Sequence, residues 1–190
     1  MNSTIIAIIA GVVISGTIYS VYASLIKKKN KVEEAFSSID VQLKKRYDLI
    51  PNILTIAGKF MEHEKGVFEK ITELRTQALS MPKDVDALGK KLELDSQIKD
   101  LMKGIMVSVE NYPELKSDTT MVTAMQTYNE VEEHISAARR FYNSAVNDLN
   151  NAVEIFPSSM FAAMLGISKK EFFKIESYER ERIDASNYLK

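Results

Sequence analysis

The chain has 190 residues, with 25 basic and 26 acidic side chains, two histidines and no cysteine. The lack of cysteine excludes a disulfide framework, a thiol nucleophile and a cysteine-based metal site. The balanced charge argues against a dedicated nucleic-acid binder, which normally carries a basic surplus.

Ile5–Ile26 reads IIAIIAGVVISGTIYSVYASLI and holds no charged residue. At helical rise those residues span roughly 33 Å, against about 30 Å of bilayer hydrocarbon. Lys27, Lys28, Lys29 and Lys31 follow at once, and residues 2–4 are Asn-Ser-Thr, with nothing basic among them. The reading is a single membrane anchor. The rival, a cleaved signal peptide, would carry a basic n-region and a shorter apolar core. The positive-inside rule places the N-terminus outside and Lys27–Lys190 in the cytoplasm. The same four lysines are candidate contacts to anionic lipid, although fixing topology is the simpler role for them. Ala7, Gly11 and Ser15, and on another face Gly16, Ser20 and Ser24, form small-residue stripes of the kind that let helices approach, so a homo-oligomer is a candidate state.

The remaining chain, about 160 residues, is enough for one sizeable core. Val32, Phe36, Ile39, Leu43 and Tyr47 mark one helical stripe over Lys27–Tyr47, with Asp40 and Lys44 as an i,i+4 pair. Asp48-Leu49-Ile50-Pro51-Asn52 predicts a tight turn between antiparallel helices, because proline is costly inside a helix and pushes the residue before it out of helical angles. A kinked continuous helix is the alternative. A second helix is expected over Leu49–Leu79, a third over Asp84–Glu110 and the longest over Thr119–Phe156, capped by Ser117, Asp118 or Thr119 and closed by Pro157. Ser168 and Glu171 look like a capping box opening a peripheral helix over Lys169–Asn187. No strand-like alternation appears. The expected fold is all-α: an N-terminal transmembrane helix (1–26), an antiparallel up-down-up-down bundle with heptad-like, coiled-coil-style spacing (27–168), and a peripheral C-terminal helix and tail (169–190).

Four strings, IDVQLKKRYDLIPNI, MEHEKGVFEKITELR, NYPELKS and AARRFYNSAVNDLNNAVEIFPS, follow the anchor in that order and closely resemble the LemA family over nearly all of Lys27–Pro157. That resemblance implies a single-pass bacterial membrane protein with a helical cytoplasmic domain and no defined enzymatic activity or cofactor. Family members beside membrane metalloprotease genes, and a relative among magnetosome proteins, imply accessory roles at membranes. The tail departs from the pattern: Phe172-Phe173-Lys174-Ile175-Glu176 is only partly family-like, and Glu181–Lys190 is not.

The residues themselves offer little chemistry. A di-iron bundle needs Glu-x-x-His on two helices, but the residues three before His63 and His134 are Phe60 and Val131. No Gly-rich phosphate loop and no triad spacing is present. Catalytic, cofactor and metal residues are therefore all read as none. The i,i+4 methionine pairs Met102/Met106, Met121/Met125 and Met160/Met164 read as gap-filling core, with an adaptable partner groove as the alternative. Asn143, Asn147, Asn150 and Asn151 are candidate contacts to a neighbouring segment or to a partner, with an ordinary wet face as the competing reading, since asparagine is a poorer helix former than Glu or Lys by roughly half a kcal/mol on a face that merely meets water. Met160–Ile167, MFAAMLGI, is uncharged and in this topology returns to the membrane end, where it caps the core or touches lipid.

The functional expectation is a non-catalytic scaffold or adaptor contacting the bilayer and membrane or envelope proteins, a membrane metalloprotease among the candidates. The competing expectations are a membrane-organising module acting by self-association and lipid contact, and an enzyme whose site the sequence does not reveal.

Overall fold

The computed structural model describes residues 2–85 and 87–173. Among them, six α-helices follow in order: α1 (Asn2–Ala57), α2 (Lys65–Ser80), α3 (Leu88–Val109), α4 (Pro113–Ser117), α5 (Thr119–Glu154) and α6 (Ser158–Met164), with a 3-10 turn at Glu62–Glu64 between α1 and α2. No strand occurs among the described residues. The protein is all-α, with one long apolar helix at its N-terminus that runs directly into the bundle.

Side-chain pairs fix the directions of the four long helices. Arg75 of α2 meets Tyr47 of α1, and Phe68 lies by Gly58, so α2 runs back along α1. Asp40 and Arg46 of α1 pair with Lys91 and Asp95 of α3, so α3 is parallel to α1. Lys31 and Arg46 meet Asp148 and Glu132, so α5 is antiparallel to α1. The result is an up-down-up-down bundle. Its core is the in-phase stripe Ile39, Leu43, Tyr47, Ile50 and Ile53 against Ile71, Leu74, Ile98, Met102, Ile135, Tyr142 and Leu149, all buried. Each aliphatic side chain so buried contributes about 1.5–3 kcal/mol.

The turn expected at Asp48–Asn52 is not there. α1 continues through Pro51 to Ala57, and the chain reverses over residues 58–61, where the amides of Gly58 and Met61 donate to Leu54 and Ala57. The reason lies in a distant side chain. Proline has no N–H, so the carbonyl four residues earlier, Tyr47 O, loses its helical donor. Arg75 supplies one: its Nε donates to Tyr47 O at 2.6 Å. A second departure is Asp40, which pairs with Lys91 across helices instead of with Lys44 along its own.

α5 starts as expected, its Met121 amide donating to the Asp118 carboxylate at 2.8 Å. α6 ends in a Schellman motif: Gly166 has φ 64°, the Ile167 amide donates to Ala162 O at 2.9 Å and Gly166 to Ala163 O at 3.3 Å. That turn sends the chain back along α5. Residues 167–173 then run without helix, so Ser168 and Glu171 do not open one there, and the rest of the expected terminal helix, 174–187, lies outside the described residues.

Candidate functional site

Three features could carry function: a buried ionic cluster, an asparagine clamp and the lysine-collared end of the bundle. The cluster sits at mid-bundle. Arg46 is fully buried and bonds Asp95, also fully buried, at 2.6 Å. Its other terminal nitrogen meets Glu132. Glu132 is held in turn by Lys99 at 2.7 Å, and Arg139 reaches Asp95 at 3.5 Å. The Arg46 guanidinium also lies 5.4 Å from the Tyr128 ring centre. Burial pushes the Tyr128 hydroxyl up to about 12, partly offset by Arg46. Burial, reinforced by the Asp95 charge, also raises Tyr47 well above the usual phenol range.

This cluster pairs within itself: three bases, Arg46, Lys99 and Arg139, meet two acids, Asp95 and Glu132. Its acids and bases face one another across α1, α3 and α5, and Arg46, Asp95 and Tyr47 are shut off from solvent. A one-turn slip of any of these helices would leave Arg46 or Asp95 buried without its partner, at a cost of about 3–5 kcal/mol. The arrangement therefore sets register. Sequence reasoning missed it, although a signal was present: Arg46 sits three residues after Leu43 and four before Ile50, and Asp95 three before Ile98, so both charges are in phase with the apolar stripes.

The four asparagines divide into two kinds. Asn150 bonds both backbone groups of Lys170, donating to its carbonyl at 2.9 Å and accepting from its amide at 2.9 Å. Asn143 does the same to Phe173, at 3.1 and 2.8 Å. Seven helical residues rise roughly 10.5 Å and three extended residues roughly 10 Å, so a heptad on α5 matches three residues of strap. The Phe173 ring packs on Tyr142 with centroids 4.4 Å apart. Asn147 and Asn151 are exposed.

The histidines are exposed, and no group of acidic and histidine side chains suited to a metal occurs among the described residues. A groove of about 580 Å³ runs between α1 and α2, lined by Ile50, Leu54, Phe68, Glu69, Thr72 and Arg75.

At the other end of the bundle lies the lysine collar. Lys29 is 3.8 Å from Glu33, while Lys31 turns inward to Asp148 at 3.1 Å and stands 5.9 Å from the Phe141 ring centre. Lys27 is exposed and Lys28 half-buried, and neither forms an ion pair among the described residues. Below the collar, every residue from 3 to 20 is exposed. The first two methionine pairs are core, with Met102 and Met121 buried, but Met160 and Met164 are exposed.

Comparison with known proteins bears on the whole arrangement. The model of the LemA family matches residues 35–186, so the match runs past Pro157 and takes in the tail through 186 that the sequence strings left outside the pattern. Protein LemA of Metamycoplasma hominis is 25% identical over 175 residues, spanning 90% of this chain and 78% of that protein. Magnetosome proteins MamQ 2 and MamQ 1 of Paramagnetospirillum magneticum are each 20% identical over 192 residues, spanning 90% of this chain and 71% of theirs.

Proposed function

The chain belongs to the LemA family, and on that premise we propose that it is a non-catalytic, membrane-anchored helical scaffold. Its bundle stands at the cytoplasmic face of a bacterial inner membrane and works through protein–protein contact. The observation that carries this reading is the uncovered first third of α1. Ile5, Ile6, Ile8, Ile9, Val12, Val13, Ile14 and Ile18 are all exposed, on a helix that enters the bundle without a break. Left in water, each would forfeit about 1.5–3 kcal/mol of burial. Together they exceed about 10 kcal/mol, comparable to the whole stability of a domain. A bilayer removes that penalty, and the lysines that follow hold the bundle on the inside.

The contact role rests on what the site lacks and what it offers. The strongest ionic groups are consumed in a buried, mutually paired cluster. The outward groups are those of a binding surface: Asn147 and Asn151 on α5, and the open α1–α2 groove. The relatives include two named magnetosome proteins, which supports a role at membranes. Membrane or envelope proteins are the partner class, a membrane metalloprotease among them.

In-cell crosslinking of the full chain, read by mass spectrometry, tests this. Crosslinks from the bundle to a reproducible set of membrane or envelope proteins are expected, and they should weaken when Asn147 and Asn151 are both changed to Lys. Crosslinks confined to other copies of the chain would overturn the adaptor reading in favour of self-association.

A further inference from the structure

The ion pairs Lys31–Asp148 and Arg46–Glu132 set an antiparallel register between α1 and α5. Continued toward the N-terminus, that register brings Leu25, six residues before Lys31, level with Glu154, six residues after Asp148. Leu25 is the first residue of α1 to be fully buried, and Val21, Ala23 and Ile26 around it are partly covered. α5 ends at this level, and α6, which packs on both α1 and α5, is seated there. Residues 155–168 therefore lie beside the last turns of the apolar anchor, at the depth where a helix crossing about 30 Å of hydrocarbon emerges.

Their composition suits that depth. Residues 155–168 contain no charge, and an ion pair between Glu154 and Lys169 brackets them. α6 buries Ala162 and packs Phe161 against the core. Its opposite face is apolar and open: Ile155, Phe156, Met160, Met164 and Leu165 are all exposed, Phe156 by 74% and Met164 by 81%. Exposed large apolar side chains scattered singly need no explanation, but five on one short knuckle next to a membrane span do. A core cap would bury the methionine pair, and this one turns it outward.

We infer that the Ile155–Leu165 knuckle is a second membrane contact, which embeds its outer face in the acyl–headgroup boundary of the same leaflet from which the anchor emerges. The lysine collar meets the headgroups beside it. Two points of attachment, one spanning and one interfacial, hold the bundle at a set tilt and rotation and leave its distal end free for partners. This inference rests on the anchor reading above and adds to it.

The chain has no tryptophan, so a single introduced one reports unambiguously. The full chain carrying Met164→Trp, or separately Phe156→Trp, is reconstituted into phosphatidylcholine–phosphatidylglycerol vesicles containing brominated lipids. Ile9→Trp in the anchor and Val107→Trp, exposed near the far end of α3, serve as controls. The expected result is strong quenching of both knuckle reporters by lipids brominated near the glycerol end, approaching that of Ile9→Trp, with Val107→Trp unquenched. If the knuckle reporters match Val107→Trp while Ile9→Trp is quenched, the second contact is refuted and the anchor stands. Knuckle emission that is blue-shifted yet unaffected by brominated lipid means that protein covers the patch, and refutes it equally. An unquenched Ile9→Trp would refute the membrane reading itself.

Discussion

Pro51 sits inside a 56-residue helix, and Arg75 is the side chain that makes this tolerable. Replacing Arg75 by Met keeps much of the apolar stem but strands the Tyr47 carbonyl. A hydrogen bond from a charged donor is worth about 1.5–3 kcal/mol, so R75M should lose about 2 kcal/mol, or roughly 4–8 °C in Tm for a chain of this size. Arg75 also stands 4.0 Å from Asp48, which is more than half exposed. An ion pair of that kind contributes about 0–1 kcal/mol. Pro51→Ala separates the two effects, because alanine brings back an N–H that can donate to Tyr47 O. In the Pro51→Ala background R75M should cost less than about 0.5 kcal/mol, as for an ordinary surface change. The coupling energy from thermal unfolding of the four full-length proteins in one detergent, followed by circular dichroism, should then be about 1.5 kcal/mol. Equal costs in both backgrounds would show that Arg75 acts only through Asp48, or through its packing, and would refute the explanation of the unbroken helix.

Three other outcomes follow from the same geometry. Arg46→Met leaves Asp95 buried with the longer contact to Arg139 as its ion pair among the described residues and should cost about 3–5 kcal/mol, whereas Arg46→Met with Asp95→Leu should recover most of it; an unrecovered double variant would mean the cluster is not self-contained. Tyr128 holds its proton more tightly in the folded state, at about 12 against an ordinary 10.0, so its stabilisation is complete below pH 10 and lost as pH rises through 12. From Tyr128 alone, chemical denaturation should show about 1 kcal/mol less stability at pH 11 than at pH 9, and Tyr128→Phe should flatten that difference. Changing Asn143 and Asn150 together to Ala should speed hydrogen exchange at the Lys170 and Phe173 amides, which donate to those side chains, without altering exchange in α1; unchanged protection at both amides would contradict the clamp.

The helices were legible wherever one rule decided them. Stripes at three- and four-residue spacing gave α3, α5 and the Lys27–Tyr47 part of α1, whereas the helix expected over Leu49–Leu79 divides between the end of α1 and α2; the Asp118 cap marked the start of α5. Failures came where a distant residue overrode a local preference. Pro51 predicts a break, and only the fold brings Arg75 to it, through a carbonyl 28 positions away. Ser168 and Glu171 satisfy a capping pattern, but the asparagine amides of α5 hold the backbone of that segment in extended form. Of the site residues, the lysine collar was visible as a charge run. The split of the asparagines into a clamp and an exposed pair was not, because it depends on where residues 167–173 return. The ionic cluster was readable in part: charges in phase with an apolar stripe announce burial, but their partners lie on other helices.

The central claim is that α1 spans the membrane with the bundle inside. Because the chain is free of cysteine, single cysteines placed at Ser3 and, in a second protein, at Ser80 can be probed on intact cells with a membrane-impermeant maleimide. Labelling is expected at position 3 in intact cells and at position 80 only after permeabilisation. Labelling of position 80 in intact cells, with position 3 protected, would contradict it.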